Sequence, residues 1–282
     1  MLNHKVQPSR GHRRRSFFRV TSALGVATFW LIVLHASALN ISHADALRIG
    51  KKIWQNECNG TISGLTTWNA GENFASLGIG HFIWYPKDAR GPFEESFPKF
   101  VRFVAAKRAH ERSLYLPQAL DPKGENPCPW NSRTEFLHAQ QTPQMKQLRQ
   151  FLADTVDLQA EFLAQRLQEA RAKMLASAQP GMREHVQERF NRLAESSNGC
   201  YALMDYVNFK GEGTNETERY RGQGWGLLQA LEGMSGNGNS VHDFAASAKN
   251  VLARRVQNSP PERHESRWLS GWQQRINSYT RD

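Results

Sequence analysis

The order of apolar and polar positions divides the chain into stretches of helical period interrupted by one short β-type excursion. Leu47, Ile49, Ile53 and Trp54 recur with polar residues between them, which predicts a short amphipathic helix ending near Glu57, where Asn59-Gly60 supplies a stop. Residues 61–85 are rich in Thr, Trp, Phe, Ile and Gly, as short strands and turns are. Helical spacing returns over residues 93–113, lapses in the Pro-rich loop "DPKGENPCPWNS", and resumes at Thr142. From there to about Ala178, Leu148, Phe151, Leu152, Thr155, Phe162, Leu163, Leu167 and Met174 form one stripe of a single long helix. Another helix is expected from Pro180 to about Ser196. The buried-looking "CYALMDYVNFKGEGT" and helical "GWGLLQALEGM", "VHDFAASAKNVLARRV" and "RWLSGWQQRINSY" complete the chain. The expected fold class is α+β, mostly helical, in one domain with a small β-rich part near its N-terminus.

The first 46 residues stand apart. "RGHRRRSFFRV" is basic without an acid, "VTSALGVATFWLIVLHASAL" is apolar, and "SHADA" offers small residues at Ala44 and Ala46; that order is a secretory signal with cleavage after Ala46. Arg14-Arg15 followed by Phe17-Phe18 and Arg19 resembles the twin-arginine export signal of bacterial proteins exported already folded. An uncleaved membrane anchor is the alternative, weakened as a span by Thr21, Ser22 and His35. Either way residues 47–282 are expected outside the cytoplasm, periplasmic or secreted, touching a membrane only through an uncleaved N-terminal segment.

This division changes the charge argument. The whole chain of 282 residues carries a formal +10, from 36 basic and 26 acidic residues. Six of those basic residues and one acidic residue lie in the first 46, so the remainder carries +5. A mildly basic exported domain suits an anionic polymer such as the cell wall. No basic run interleaved with aromatics survives outside the signal, so nucleic acid is not an expected partner. Cys58, Cys128 and Cys200 leave an odd count, and in an oxidising compartment one pair plus one free thiol is expected, with three pairings open.

The candidate chemistry lies in "NECNGTISGLTTWNAGENFASLGIGH", residues 56–81. A carboxylate closing a helix beside a glycine-rich hairpin has a rigid mount, and apolar neighbours Ile53 and Trp54 are expected to raise the Glu57 pKa by desolvation, so that it can donate a proton to a leaving oxygen. Gly78 and Gly80 let backbone approach a ligand. Trp68, Phe74, Trp84 and Tyr85 offer flat faces for sugar rings, and Asn69 and Asn73 offer amide donors and acceptors. A second cluster, "DYVNFKGEGTNETERYRGQGWGLLQALEGM", concentrates Asn208, Lys210, Glu212, Asn215, Tyr220, Gln223, Trp225 and Gln229, a density suited to a saccharide groove.

Glu57 ahead of "SLGIGHF" resembles the lysozyme-like superfamily, specifically muramidases of the phage endolysin type, over residues 47–85. The resemblance implies a general acid at Glu57 and a hairpin end at Gly78-Ile79-Gly80-His81. Ser76 stands where the family usually has Thr, and Ala70 stands where its Asp would be, with Asn69 and Glu72 the nearest polar substitutes. The interval from Glu57 to His81 is also a few residues longer than usual. Lytic transglycosylases, which share the fold and work with one acidic residue, show a looser likeness in "GWGLLQ".

The resulting expectation is a monomeric muramidase acting on peptidoglycan glycan strands without metal or cofactor. Glu57 would be the acid, Ser76, Asn69, Glu72 and Glu212 the candidates to position water or steady positive charge, and Trp68, Trp84, Tyr85 and Trp225 the groove lining. Asn69, Gly78, Gly80, His81, Asn208 and Gln223 complete the expected substrate contacts, His81 chiefly as a structural residue. A non-catalytic wall-binding protein on the same fold is the alternative, favoured by the missing Asp at position 70. A Cys58–His81 peptidase is disfavoured because a helix C-terminus opposes a thiolate. His110-Glu111 and His242-Asp243 lack a second His at ligand spacing.

Overall fold

Ser42 opens helix α1 (His43–Cys58): its hydroxyl accepts a hydrogen bond from the Asp45 N–H at 3.1 Å and satisfies one of the orphan donors of the first turn. The computed structural model describes residues 41–281 apart from 92, 109–115, 118–119 and 237. The expected export signal lies outside the described residues up to position 40. Its anticipated boundary, after Ala46, falls within the first turn of α1, and Ala46 is fully buried. Gly50, midway along α1, allows the close approach of a second helix, since a Cβ there would meet the Val156 carbonyl oxygen at 2.7 Å.

That second helix is α5 (Val156–Ser177), the axis of the molecule, with its buried positions spread around much of its circumference. The single helix expected over residues 142–178 is instead two, α4 (Pro143–Asp154) and α5, broken at buried Thr155, which adopts φ −122° and ψ 25°. Its hydroxyl bonds back to the Phe151 carbonyl at 2.7 Å, a local alternative to the helical ladder. The Gln159 side-chain amide donates to the Leu152 carbonyl at 2.6 Å across the same break.

Three short antiparallel strands, β1 (Thr66–Thr67), β2 (Ala75–Leu77) and β3 (Phe82–Trp84), follow α1 and form a sheet in the order β1-β2-β3. The turn between β2 and β3 is Gly78-Ile79-Gly80-His81, and it is tucked into the helical part. Ile79 is fully buried, and its N–H donates to the Gln159 side-chain oxygen at 2.8 Å. Gly78 has φ +69°, and a Cβ there would lie 2.2 Å from that oxygen, so both angle and space require glycine. A polar side chain in the core thus ties the sheet's turn to the axial helix.

The remaining helices are α2 (Phe97–Arg108), α3 (Arg133–His138), α6 (Arg183–Ala194), α7 (Ser197–Lys210), α8 (Leu227–Glu232), α9 (Ser240–Asn258) and α10 (Ser266–Asn277). A two-residue hairpin, β4 (Arg219–Tyr220) and β5 (Gln223–Gly224), lies between α7 and α8. The helix expected from Pro180 starts at Arg183, because Pro180-Gly181 forms a turn with Gly181 at φ +84°. One hydrophobic core runs through α1, the sheet and the helices. No helix among the described residues is long and apolar enough to cross a membrane.

The expected disulfide is absent. Cys58, Cys128 and Cys200 are all free and buried, standing at the end of α1, beside Pro86 in a bridge, and on α7. Each packs as a small apolar side chain. Gln159 is the most exacting of the buried polar groups. Replacing it with Leu strands the Ile79 N–H and should cost about 2–3 kcal/mol, measured as a lower midpoint in urea with unchanged slope; a loss under about 0.5 kcal/mol would show that water or backbone shift satisfies the turn.

Candidate active site

Helix α1 ends because Asn59 turns left-handed, at φ 53°, with its N–H returning to the Trp54 carbonyl. This leaves Glu57 in the last turn, where the helix dipole is unfavourable for a carboxylate. Arg275 of α10 supplies the compensation. Its guanidinium contacts Glu57 Oε1 through Nη2, and the same group holds Asp205 of α7 by Nε to Oδ2 at 2.8 Å and Nη2 to Oδ1 at 2.8 Å. Asp205 is fully buried and also accepts from the Tyr279 hydroxyl at 2.8 Å and the Asn56 amide at 3.3 Å. Three helices distant in sequence therefore meet at one guanidinium.

Two further groups reach the Glu57 carboxylate. The Asn208 amide donates to Oε1 at 3.1 Å, and His81 Nδ1 lies 3.9 Å from Oε2. Both also line a cleft of about 810 Å³, while the Glu57 side chain itself is only 12% exposed. The cleft runs between the turn residues Gly80 and His81 with Ile83, the α5 face from Leu163 to Lys173, and residues 207–215 at the end of α7, with Trp225 and Arg255 also lining it. Its size falls in the range of small-molecule sites.

The expectation of a raised Glu57 pKa is corrected. Burial is the strongest single influence and does raise it, but the charge and hydrogen bond of Arg275, with His81 and Asn208, outweigh burial and hold the carboxyl below its ordinary value. Glu57 is ionised in the empty cleft. The Cys58 thiol beside it moves the other way, pushed up to about 12 by burial and by the Glu57 charge. It donates weakly to the Gly78 carbonyl at 3.8 Å, and a thiol so protonated is no nucleophile at neutral pH.

Of the residues singled out from sequence, Gly80, His81, Asn208, Lys210, Glu212, Asn215 and Trp225 line the cleft, while Glu57 lies behind His81 and Asn208. Several others do not. Trp68 packs on Phe136 with ring centroids 5.7 Å apart, Trp84 packs on Phe97 at 4.8 Å, and the Tyr85 hydroxyl donates to the Phe93 carbonyl at 3.4 Å. All three are core residues, because large rings on a sheet packed against helices gain most by burial. Ser76 is buried in β2 opposite Ile83, and Asn69 and Glu72 sit at the far tip of the β1–β2 hairpin, where the Glu72 N–H bonds the Asn69 carbonyl. Gly78 faces Gln159 rather than the cleft, and Gln223 is exposed on β5.

Sequence reasoning missed Arg275, Asp205 and Arg255. Asp205 carried a signal, as a lone acid inside the apolar run "CYALMDYV". Arg275, 218 positions from Glu57, carried none. Glu212 accepts from Thr214 at 3.4 Å and pairs with Lys173 at 3.4 Å, while Trp225 stacks under the Arg255 guanidinium at 4.2 Å. No family model matches the chain, and neither does a curated protein or a solved structure.

The depressed Glu57 pKa has a consequence for stability. Its contribution is complete above the unfolded-state value of about 4.3 and is lost as pH falls through the folded value. The stability advantage of the native protein over Glu57→Gln, measured by urea unfolding, should therefore shrink between about pH 6 and about pH 2. A constant difference across that interval would contradict the ion pair.

Proposed function

We propose that the protein is a lysozyme-like enzyme that cleaves the β-1,4-linked glycan strand of peptidoglycan, with Glu57 protonating the glycosidic oxygen. One observation supports this most strongly: the Glu57 carboxylate stands at the end of the first helix, against the Gly78–His81 turn, with His81 and Asn208 joining it to a cleft large enough for a saccharide.

An acid needs a proton, and Glu57 lacks one at rest. Two features let it acquire one. Glu57, Asp205 and Arg275 comprise two carboxylates to one guanidinium, and Arg275 keeps its two-point contact with Asp205 when Glu57 lets go. Burial already pushes Glu57 toward its neutral form more strongly than any other single influence. A sugar filling the cleft removes more water, so substrate entry shifts the carboxyl toward protonation where the leaving oxygen arrives. After proton transfer the restored carboxylate faces the positive charge that develops on the sugar ring.

Ser76, Asn69 and Glu72 lie outside the cleft, so any water-activating role falls to Glu212. If Glu212 serves, the products carry reducing ends. If a hydroxyl of the sugar attacks instead, they carry anhydro ends, as with lytic transglycosylases. On this reading the enzyme works as a monomer outside the cytoplasm, with residues 1–46 as its export signal. A second reading, a wall-binding protein without catalysis, is favoured by the Glu57–Arg275 pair, which occupies the carboxylate in the empty state.

Purified protein should release soluble muropeptides from peptidoglycan, and Glu57→Gln should lower the rate by about 10²–10⁴-fold. Mass analysis of the products then separates reducing from anhydro ends. Retained binding to the wall without release by the native protein would establish the non-catalytic reading instead.

A further inference from the structure

Apart from His81, four cationic side chains line the cleft, and three of them hold a carboxylate. Arg166 lies 3.5 Å from Glu94, Lys173 lies 3.4 Å from Glu212, and Arg255 binds buried Glu265 at 2.8 and 3.0 Å. Lys210 is the exception: among the described residues it makes no ion pair. Its ammonium sits over two rings instead, 3.9 Å from the centroid of Phe209 and 3.6 Å from that of Trp272.

This is an expensive place for a cation. Burial pushes the Lys210 amine down to about 7, and the guanidiniums of Arg255 and Arg275 act in the same direction against the opposing pull of Glu265 and Glu57. Ring faces and the C-terminal end of α7 compensate in part, by attraction to the quadrupole and to the helix dipole. Neither supplies a counter-charge. Desolvated cations are ordinarily paired, and one left unpaired on the wall of a cleft is completed by a ligand that brings the missing charge. Lys210 lines the same cleft as Asn208, which holds Glu57, and it lies within reach of the Glu57 charge.

We propose that Lys210 forms an anion subsite in the cleft, taking a carboxylate carried by the saccharide, so that the site selects acidic glycans over neutral ones of the same linkage. The proposal rests on the glycan-cleaving reading and names a specificity-determining residue within it. An ammonium is a compact charge that accepts a carboxylate from several directions, which suits a flexible ether-linked acid on a sugar ring whose carboxyl carries no peptide. The faces of Phe209 and Trp272 hold the amine, so it is positioned before the ligand arrives.

The test is calorimetric, on the full chain carrying Glu57→Gln so that no cleavage occurs. Two tetrasaccharides serve as probes: one alternating N-acetylglucosamine and N-acetylmuramic acid, the other N-acetylglucosamine throughout. The acidic probe should bind about tenfold more tightly. Adding Lys210→Met, which keeps an unbranched apolar stem, should reduce that preference to about twofold or less, and Lys210→Arg should retain most of it. Equal binding of the two probes, or a preference that survives Lys210→Met, overturns the subsite while leaving the glycan reading intact. Failure of both probes to bind overturns the glycan reading, and the subsite with it.

Discussion

The contact on which the candidate site depends is the Arg275 guanidinium shared between Asp205 and Glu57. Asp205 takes it at two points inside the core, and Glu57 takes what remains, behind the cleft residues His81 and Asn208. Ion pairs at such depth seldom add much net stability, but removing one partner leaves a buried charge uncompensated, at a cost of about 3–5 kcal/mol. The arrangement is better understood as a positioning device. It joins the end of the first helix to the seventh and tenth, and it sets the protonation state of Glu57, whose carboxylate touches the cleft residues His81 and Asn208.

The opposite wall is referenced to the same frame through neutral groups. Gln159 holds the Ile79 N–H and the Leu152 carbonyl, and so fixes the β2–β3 turn on α5, whose outward face lines the cleft beyond it. His81 leaves that turn toward Glu57. A hydrogen bond in the core and an ion pair at its margin therefore set the two sides of one site, with packing between them. This explains why a sheet of three short strands, too small to be stable by itself, can carry a group in register with a helix end.

Sequence periodicity revealed what is local. The first helix, its stop at Asn59-Gly60, the strand-and-turn segment after it and most later helices follow from spacing and breakers within a few residues. The break at Thr155 was hidden because the apolar stripe continues through it, while the hydroxyl of Thr155 and the side chain of Gln159 take up backbone groups there. The aromatics at 68, 84 and 85 were misassigned for a related reason: a ring that suits a sugar suits a core equally, and burial decides. Glu57, Asn208, Gly80, His81, Lys210, Glu212 and Trp225 were legible from composition and local motif. Arg275 was not, since nothing near residue 275 records a partner at residue 57. The expected sign of the Glu57 shift failed with it, because desolvation by neighbours is local and the guanidinium is not.

The central claim is that Glu57 is ionised in the empty cleft and gains its proton as a saccharide displaces water. The most direct measurement is the titration of the Glu57 side-chain carboxyl by carbon-13 NMR, assigned with Glu57→Gln, in the free protein and in protein saturated with an N-acetylglucosamine oligomer. The account predicts a free pKa below the ordinary glutamate value of about 4.3 and a value above it when the cleft is filled. A carboxyl that stays depressed with saccharide bound would contradict it, and would leave Glu57 as a structural partner of Arg275.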